Sequence, residues 1–377
     1  MLVQVSCCVG IVARHNILLS LLKVPKYKMK SVLFLFVAFS AFMLPNTVYN
    51  QTPLNEVRIV ASHNSYKKAP HKKVLRFLKR FKKRLGPEND PIQIDYGHEP
   101  LSVQLDSFQV RGFEFDIYND PKGGHFRKRA LNRFILGQAV RSKDKDYKIP
   151  GFKLMHIPDV DFQTNYVLFK NALEEIEQWS NAHPNHSTIF INIECKNASP
   201  GNESKALRRL GFKRCVPFDS VAFRAIDKEI LSSISEKKLF TPKHLQNGFA
   251  SIHERLDSLG WPTAQEMRNK IIFILDGWAK EYNAYSSEHL LFHYGDPANE
   301  NTAFVIQNDP FGKEDYINSL TKKFIVRSRA DAGTYESRNN DYMRLKAVLR
   351  SGSQIISTDY YKPDLRWSTY KVDLNQQ

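Results

Sequence analysis

Cysteine is scarce in this sequence, and the spacings that define several common active sites are missing. Only four of the 377 residues are cysteine, and two of these, Cys7 and Cys8, are neighbours close to the first residue. No Cys/His spacing typical of a zinc site occurs. A G-x-S-x-G motif, a P-loop and a Ser-His-Asp order are also missing. Zinc enzymes, serine hydrolases and P-loop proteins are therefore not indicated.

Long hydrophobic runs are missing as well. The most apolar stretch, Ser31–Leu44, is 14 residues long, which is too short to span a bilayer as a stable helix. It follows Met29 and a lysine, and a proline and polar residues come after it, which is the order of a secretory signal. We therefore predict a start at Met29, export to the periplasm or the exterior, and cleavage between Thr47 and Thr52. A buried helix is the alternative.

Acidic residues are fewer than basic ones. The formal net charge is +16, and it stays positive without residues 1–50, which contain five basic residues and no acidic one. Such a charge favours anionic partners. No nucleic-acid recognition motif accompanies it, so we expect a lipid surface and no nucleic acid. Residues 1–50 are predicted to be an upstream extension and signal, and residues 51–377 a single monomeric domain.

Eight short runs of β-branched and aromatic residues alternate with helical stretches, which predicts a parallel sheet covered on both faces. The predicted strands are Val57–Ser62, Gly112–Ile117, Phe152–His156, Thr188–Glu194, Ile271–Asp276, Ala303–Gln307, Phe324–Arg329 and Gln354–Thr358. Eight of them predict an α/β fold of the (β/α)8 TIM-like barrel type. The active sites of such barrels lie at the carboxyl ends of the strands, where polar residues end each of these runs.

The densest run of basic residues, from Lys67 to Arg84, lies between the first two predicted strands. Apolar residues recur within it at helical spacing: Val74, Phe77, Leu78, Phe81 and Leu85. The pattern predicts a basic amphipathic helix over Lys72–Arg84. Such a helix lies on an anionic membrane, or docks its apolar face on the barrel with its lysines in solvent. The two arrangements are compatible.

Helical spacing also predicts a helix over Asn165–His183, which Pro184 ends. The interval between the fourth and fifth predicted strands is too long for one crossover, so we expect extra helices over Phe218–Glu236 and Pro242–Leu259. Cys195 and Cys215 border the start of this interval. An oxidising compartment would allow them to pair or to remain free thiols.

Carboxylates stand at the ends of two predicted strands. Glu114 and Asp116 are two residues apart, so both point to one face of a strand, which at a barrel strand end is the interior. Unpaired carboxylates repel each other there, and either a cation or salt bridges to Arg or Lys would hold them. With Glu194 and the amide oxygen of Asn64 they form an all-oxygen set that suits Ca²⁺ or Mg²⁺.

His63 and His156 end the first and third predicted strands, on either side of this carboxylate set. A single histidine at a strand end is more often structural than catalytic. Two of them around one carboxylate cluster favour general acid–base catalysis at phosphorus, because imidazole titrates near neutral pH.

These residues stand in motifs that resemble calcium-dependent phosphatidylinositol-specific phospholipases C, particularly the secreted single-domain bacterial type. The similarity extends from about Asn55 to Tyr360. The adjacent His-Asn pair is its most discriminating part. The motifs are Ala61-Ser-His-Asn-Ser-Tyr66, Glu99-Pro-Leu-Ser-Val-Gln-Leu-Asp106, Arg111-Gly-Phe-Glu-Phe-Asp116, His156 and Ile193-Glu194.

The resemblance implies a role for each of these residues. His63 and His156 would be catalytic, and Ca²⁺ would be held by Asn64, Glu114, Asp116 and Glu194. Contacts to phosphate or inositol hydroxyls are implied for Lys196, Asp276 and Arg327. The implied substrate is membrane phosphatidylinositol, cleaved between phosphate and glycerol to diacylglycerol and a cyclic inositol phosphate. Asp276 stands where animal members have a lysine, which leaves the preferred phosphorylation of the head group open.

Two alternatives remain from the residues themselves. A glycerophosphodiesterase or a sphingomyelinase D-like phospholipase shares the Glu-x-Asp and two-histidine scheme. Glycerophosphodiesterases tend to follow the first histidine with Arg-Gly, whereas Asn64 and Ser65 follow it here. A non-catalytic protein that binds anionic lipid is the other alternative, and the presence of both histidines and all four oxygen donors argues against it.

Overall fold

The computed structural model describes residues 51–137 and 141–374. The predicted signal, its start at Met29, and Cys7 and Cys8 lie outside the described residues, as does all but the end of the predicted cleavage interval. Within the described ranges, no helix is both long enough and apolar enough to cross a membrane.

Eight parallel strands form a nearly closed barrel, which confirms the predicted (β/α)8 fold. Their hydrogen-bonded order is β6-β5-β4-β2-β1-β9-β8-β7, and one parallel bridge between Tyr294 and Phe304 connects β6 to β7. The strands of the described ranges are β1 (Ile59–Ser62), β2 (Gly112–Tyr118), β3 (Lys153–Leu154), β4 (Ile189–Cys195), β5 (Ile271–Asp276), β6 (Phe292–His293), β7 (Phe304–Ile306), β8 (Ile325–Arg329) and β9 (Ile355–Thr358).

The prediction that Phe152–His156 is the third barrel strand is wrong. Only Lys153 and Leu154 form a strand, and this β3 pairs antiparallel with the end of β2, outside the barrel order. A parallel strand needs a crossover, usually a helix, whereas the described residues between β2 and β3, 119–137 and 141–152, form no helical segment longer than a short turn. The missing barrel strand is β6, whose two residues are too few to show a pattern in the sequence.

Helices cover the outside of the barrel. The α-helices of the described ranges are α1 (Lys72–Arg80), α2 (Lys82–Leu85), α3 (Leu101–Ser107), α4 (Phe169–Ala182), α5 (Pro200–Glu203), α6 (Lys205–Arg209), α7 (Ser220–Ser233), α8 (Pro242–Gln246), α9 (Ile252–Leu259), α10 (Ala279–Tyr285), α11 (Glu314–Thr321), α12 (Tyr335–Asn339) and α13 (Met343–Ser351). Shorter 3₁₀ or π turns occur at Leu54–Glu56, Pro87–Asn89, Pro91–Ile94, His125–Arg127, Asn132–Leu136, Lys145–Lys148 and Glu236–Lys238.

The predicted helices are present with shifted bounds. The helix expected over Asn165–His183 is α4. Five α-helices, α5 to α9, lie between β4 and β5, and the two expected there correspond to three of them, α7, α8 and α9. The segment predicted as Pro242–Leu259 divides into α8 and α9 because Asn247 and Gly248 both have positive φ, +47° and +85°. Such a pair ends a helix in the left-handed region that Gly and Asn tolerate.

The pleat of β2 separates its side chains into two environments, as the alternation predicts. Phe113 and Phe115 pack in the outer core with residues of α3 and α4, such as Leu105 and Phe169. Glu114 points into the barrel, where it lines a small interior cavity together with Asn192 of β4 and Arg327 of β8. The acidic residues of β2 are therefore inside the barrel at its carboxyl end.

Cys195 and Cys215 are both buried, and both are free thiols in this structure. Burial raises the pKa of each thiol, that of Cys215 to about 11. The disulfide that the sequence left open is therefore not formed here, and a thiol with a raised pKa reacts slowly.

Candidate active site

Three carboxylates from two neighbouring strands meet at the carboxyl end of the barrel. Asp116 of β2 and Glu194 of β4 are partners in the strand register, and Glu114 lies one pleat earlier on the same face as Asp116. Each of the three can place one oxygen within 4.8 Å of the others. The predicted cluster is therefore present as a group of oxygen donors.

Two cations hold the outer members of this carboxylate cluster. Nζ of Lys196 lies 2.5 Å from Oε1 of Glu194 and 3.6 Å from Oδ2 of Asp116, and Nη2 of Arg327 pairs with Oε2 of Glu114. Burial opposes ionisation of Glu114, but the surrounding cations, Arg327 foremost, outweigh it and lower the pKa of Glu114 to about 2. Burial likewise opposes the charge of Lys196, and Asp116 and Glu194 outweigh it and raise its pKa.

Asp116 is the member of the cluster whose charge is least compensated. Both of its carboxylate oxygens are buried, and neither accepts a hydrogen bond from the described residues. Burial raises its pKa well above the usual range, and the negative charges of Glu194 and Glu114 add to the effect of burial against the opposing charge of Lys196. A hard cation would coordinate these unpartnered oxygens and compensate their charge, so the donor set fits calcium.

Tyr66 connects Asn64 to Asp116. The hydroxyl of Tyr66 donates to Oδ1 of Asn64 at 3.3 Å. The pKa of this hydroxyl is raised well above its usual value, first by burial and second by the negative charge of the nearby Asp116. The amide nitrogen of Asn64 donates to the hydroxyl of Tyr96 at 2.8 Å, which orients the amide oxygen. Tyr66 thus connects the amide oxygen of Asn64 to the cluster, and the role of Asn64 as a fourth oxygen donor stays a prediction.

His63 is held at both ring nitrogens. Its Nδ1 donates to Oδ1 of Asp359 at 2.8 Å, and its Nε2 lies 3.4 Å from Oε1 of Glu114 and 3.3 Å from Nη1 of Arg329. Burial, followed by the charge of Arg329, lowers the pKa of His63, while Glu114 and Asp359 oppose the shift. A proton on Nδ1 leaves Nε2 of the neutral ring as the acceptor, which is the form that a general base needs.

His156 has a carboxylate partner of the same kind. Its Nδ1 donates to Oδ2 of Asp161 at 2.8 Å, and Nζ of Lys67 lies 3.2 Å from the same oxygen. Lys67 is fully buried, and it also donates to the backbone carbonyls of Ile94 and Tyr96 at 2.8 and 2.7 Å. Lys67 begins the basic run of the sequence, but it differs from the exposed lysines of that run because it is buried and pairs with Asp161 inside the protein.

The two histidines face one cavity, although they reach it from different elements. His63 follows β1, whereas His156 follows the antiparallel β3, where its carbonyl accepts a hydrogen bond from the hydroxyl of Tyr118 at 2.8 Å. Both line a cavity of about 650 Å³ together with Arg329 and Asp359. A phosphate at that end of the cavity would be within reach of two imidazoles and one guanidinium.

The remaining predicted residues surround the carboxylate cluster. Asp276 is the register partner of Glu194 at the end of β5, and burial, with the charges of Glu194 and Glu114, raises its pKa to about 6. Arg327 is buried inside the barrel, where it contacts Asn308 and Ser357 in addition to Glu114.

Sequence reasoning assigned no role to four residues that the structure places at the site. They are Asp161, Arg329, Asp359 and Tyr96, whose hydroxyl lies 3.1 Å from Nδ1 of His63. Asp359 follows β9 and Arg329 ends β8, so the rule that found the other strand-end residues could have found these two. No sequence signal connects Asp161 to His156 or Tyr96 to His63.

A barrel with two histidine–carboxylate pairs beside an oxygen cluster has the composition of a metal-assisted phosphodiesterase. Residues 52–377 match the family model described as phosphoinositide phospholipase C, Ca²⁺-dependent. The match spans most of the chain, and the protein therefore belongs to this family of calcium-dependent phosphoric diester hydrolases. No curated protein sequence matches the chain.

Solved structures support the same fold. The calcium-dependent phosphoinositol-specific phospholipase C from Pseudomonas sp., in a myoinositol complex, is 16% identical and aligns with a TM-score of 0.51 over 84% of this chain and 92% of its own. A second crystal form of the Pseudomonas enzyme is also 16% identical, with a TM-score of 0.50 over 83% and 91%. At these identities the likeness concerns the fold alone.

The His63–Asp359 pair generates a prediction. Asp359→Asn keeps the size of the side chain and removes the charge that orients the ring of His63 and stabilises its protonated form. We expect kcat to fall by about 10²–10⁴-fold. The measurement is turnover of a phosphoinositide substrate, with thermal unfolding to verify the fold.

The control for this prediction is Asp257→Asn. Asp257 is a mostly exposed carboxylate that pairs with Lys323 at 2.7 Å, away from the cavity residues. An Asp359→Asn protein with unchanged kcat would contradict the assignment of His63 to proton transfer.

Proposed function

We propose that this protein uses calcium to cleave phosphatidylinositol between phosphate and glycerol. The inositol 2-hydroxyl attacks phosphorus, the bond from phosphorus to the glycerol oxygen breaks, and diacylglycerol leaves with a proton. The other product is a cyclic inositol phosphate, which water then opens to inositol phosphate. The observation that carries this proposal is the pair of carboxylate-bound histidines facing one cavity beside the carboxylate cluster.

Proton transfer is assigned to the two histidines. One imidazole accepts the proton of the 2-hydroxyl at Nε2, and the other, protonated, gives its proton to the departing glycerol oxygen. Asp359 and Asp161 fix the Nδ1 proton of His63 and His156, so that Nε2 of each ring is directed to the substrate. Each such acid–base group typically contributes about 10²–10⁴-fold to the rate.

Calcium is assigned to Glu114, Asp116, Glu194 and Asn64. When bound there it supplies a Lewis acid for the phosphoryl oxygens and lowers the pKa of the attacking hydroxyl. Lys196 now neutralises Glu194 and Asp116 and would be released from them, with its charge available to the phosphate. Contacts of Asp276 and Arg327 to the inositol hydroxyls are proposed as well, and Arg329 is added as a phosphate contact because it lines the cavity.

The calcium assignment predicts a thermal shift. At a calcium concentration about 100 times the Kd, binding stabilises the native state by roughly 2.7 kcal/mol, so the melting temperature of the wild type should rise. Asp116→Asn should abolish the rise, because it removes the charge of the least compensated carboxylate without breaking a hydrogen bond.

Asp257→Asn should keep the full shift and serves as the matched control. EGTA should abolish turnover, and calcium should restore it better than magnesium. Full activity in the chelator would contradict the assignment.

The products distinguish this activity from its rivals. Protein beginning near Gln51 would be incubated with phosphatidylinositol, phosphatidylcholine, sphingomyelin and glycerophosphoinositol, and the products followed by phosphorus NMR. We expect diacylglycerol and a five-membered cyclic phosphate from phosphatidylinositol. His63→Ala and His156→Ala should each lose most of this activity while remaining folded, as judged by a cooperative thermal unfolding transition.

Other products would exclude the proposal in different ways. Phosphatidic acid would indicate a D-type cleavage, and glycerol phosphate from the deacylated substrate would indicate a glycerophosphodiesterase. If calcium binds and no substrate is turned over, the protein is a non-catalytic lipid-binding protein.

We also propose that α1 and α2 contact an anionic membrane with their basic face. Val74 and Leu75 of α1 are buried, whereas Lys72, Lys73 and Lys79 are exposed. Lys82 pairs with Asp90 at 2.7 Å, so this lysine is partly neutralised within the protein. Docking and membrane contact are therefore compatible. Export of the chain, which rests on residues outside the described ranges, would give it access to an external membrane surface.

Neutralising the basic face should weaken vesicle binding. Replacing Lys72, Lys73, Lys79 and Lys83 by glutamine should cost roughly 1 kcal/mol for each lysine that approaches the surface. The measurement is sedimentation with vesicles that contain phosphatidylserine. A matched variant replaces four exposed lysines outside this run: Lys228, Lys237, Lys243 and Lys322. If both variants lose vesicle binding equally, the binding depends on the net charge of the protein, and the proposed contact through α1 and α2 is contradicted.

A further inference from the structure

The cavity that both histidines face has two unlike parts. Its polar end is formed by His63, His156, Arg329 and Asp359. None of the three clustered carboxylates is part of its lining, but one of them, Glu114, lies 3.4 Å from Nε2 of His63. His63 is thus the residue through which the carboxylate cluster borders the cavity.

Besides polar residues such as Asn89, Gln93 and Glu203, the other part of the cavity contains an apolar wall built by three segments. Phe77 and Leu78 of α1 face it, as do Val160 from the loop after β3, and Leu207 and Phe212 from the α6 region. The helix of the basic run therefore does not pack its whole apolar face on the barrel. Part of that face is directed into the cavity beside the histidines.

The side chains of this apolar wall pack on a hydrophobic cluster of their own. Val74, Leu131 and Phe212 are buried in one hydrophobic cluster, and Leu78 and Leu207 pack against it while they line the cavity. The side chains are therefore supported from behind by their own core. Their position does not depend on contacts with the barrel interior.

The order of inositol, phosphate and glycerol in the substrate relates the polar end of the cavity to its apolar wall. In the proposed reaction the 2-hydroxyl and the inositol ring belong on the side of the oxygen cluster, and the phosphate lies between the histidines. The leaving glycerol oxygen must be opposite the attacking oxygen. On this geometry it points away from the cluster, into the cavity with the apolar wall.

We propose that this cavity binds the glycerol and the first methylenes of the acyl chains of the substrate, an inference that rests on the proposed function. Its volume of about 650 Å³ lies within the roughly 300–1,000 Å³ range of small-ligand pockets. It therefore holds part of a diacylglycerol, and the ends of long chains remain in the membrane. The enzyme would draw the lipid partly out of the bilayer before cleavage.

The test uses phosphatidylinositols dissolved as monomers, so that vesicle binding does not contribute. Diacyl substrates with chains of two to seven carbons are compared with glycerophosphoinositol below their aggregation concentrations. Each methylene buried in the cavity should raise kcat/KM by up to about fourfold, until the cavity is filled and the series levels off. A flat series across all chain lengths would overturn the proposal.

Two variants locate the effect. Leu78→Trp and Leu207→Trp each add bulk to the apolar wall from a different segment. Each should lower the ratio of kcat/KM for the dihexanoyl lipid over glycerophosphoinositol by at least about tenfold, the loss of two buried methylenes. Val221→Trp, at an exposed position of α7, is the matched control and should leave the ratio unchanged. A ratio unchanged in both cavity variants would overturn the proposal.

The outcomes separate this inference from the function on which it rests. Turnover of every inositol phosphodiester with no chain-length dependence would leave the phospholipase activity intact and remove the acyl site. No turnover of any of them by the wild type would overturn both. If a tryptophan variant does not fold, as judged by its melting temperature, the chain-length series of the wild type decides.

Discussion

The arrangement of this protein depends on the burial of like charges at one end of a barrel. The strand pleat directs Glu114 and Asp116 to the same interior side, and the parallel register places Glu194 and Asp276 beside them. Negative groups so close in a buried place are stable only if cations accompany them. Arg327 pairs with Glu114, and Lys196 lies close to Glu194 and farther from Asp116, whose oxygens accept no hydrogen bond from the described residues and would be satisfied by an additional cation.

The same constraint extends to the histidines. His63 stands between Glu114 of the cluster and Asp359, and Arg329 shares Asp359 with it at 3.1 Å. Lys67 pairs with Asp161, the carboxylate partner of His156, as Arg329 pairs with Asp359. Each imidazole therefore has a carboxylate partner, and each of these two carboxylates has a buried or half-buried cation. Charge alternates around the two histidines, which allows these ionisable groups to be enclosed together.

The sequence predicted those features that follow from local geometry. The period of two predicted that Glu114 and Asp116 share a face, and the rule of strand ends located His63, Glu194 and Asp276. Features that depend on distant residues were not accessible in this way. Strand β6 has two residues, and its identity as a strand comes from pairing with β5. Asp161 and Lys67 are 94 residues apart and meet only in the folded chain, and the lysine looked like one more member of a solvated run.

The neighbouring strands of the barrel are not all paired over the same length, and the shortest pairing lies on one side of the barrel. Every neighbouring pair shares at least two register partners except β6 and β7, which a single bridge connects. In the strand order this seam is farthest from the junction of β1 and β2, from which His63, Glu114 and Asp116 extend. Backbone breathing begins where hydrogen bonds are fewest. Amide exchange would therefore be fastest at the seam between β6 and β7, across the barrel from the histidine and carboxylates.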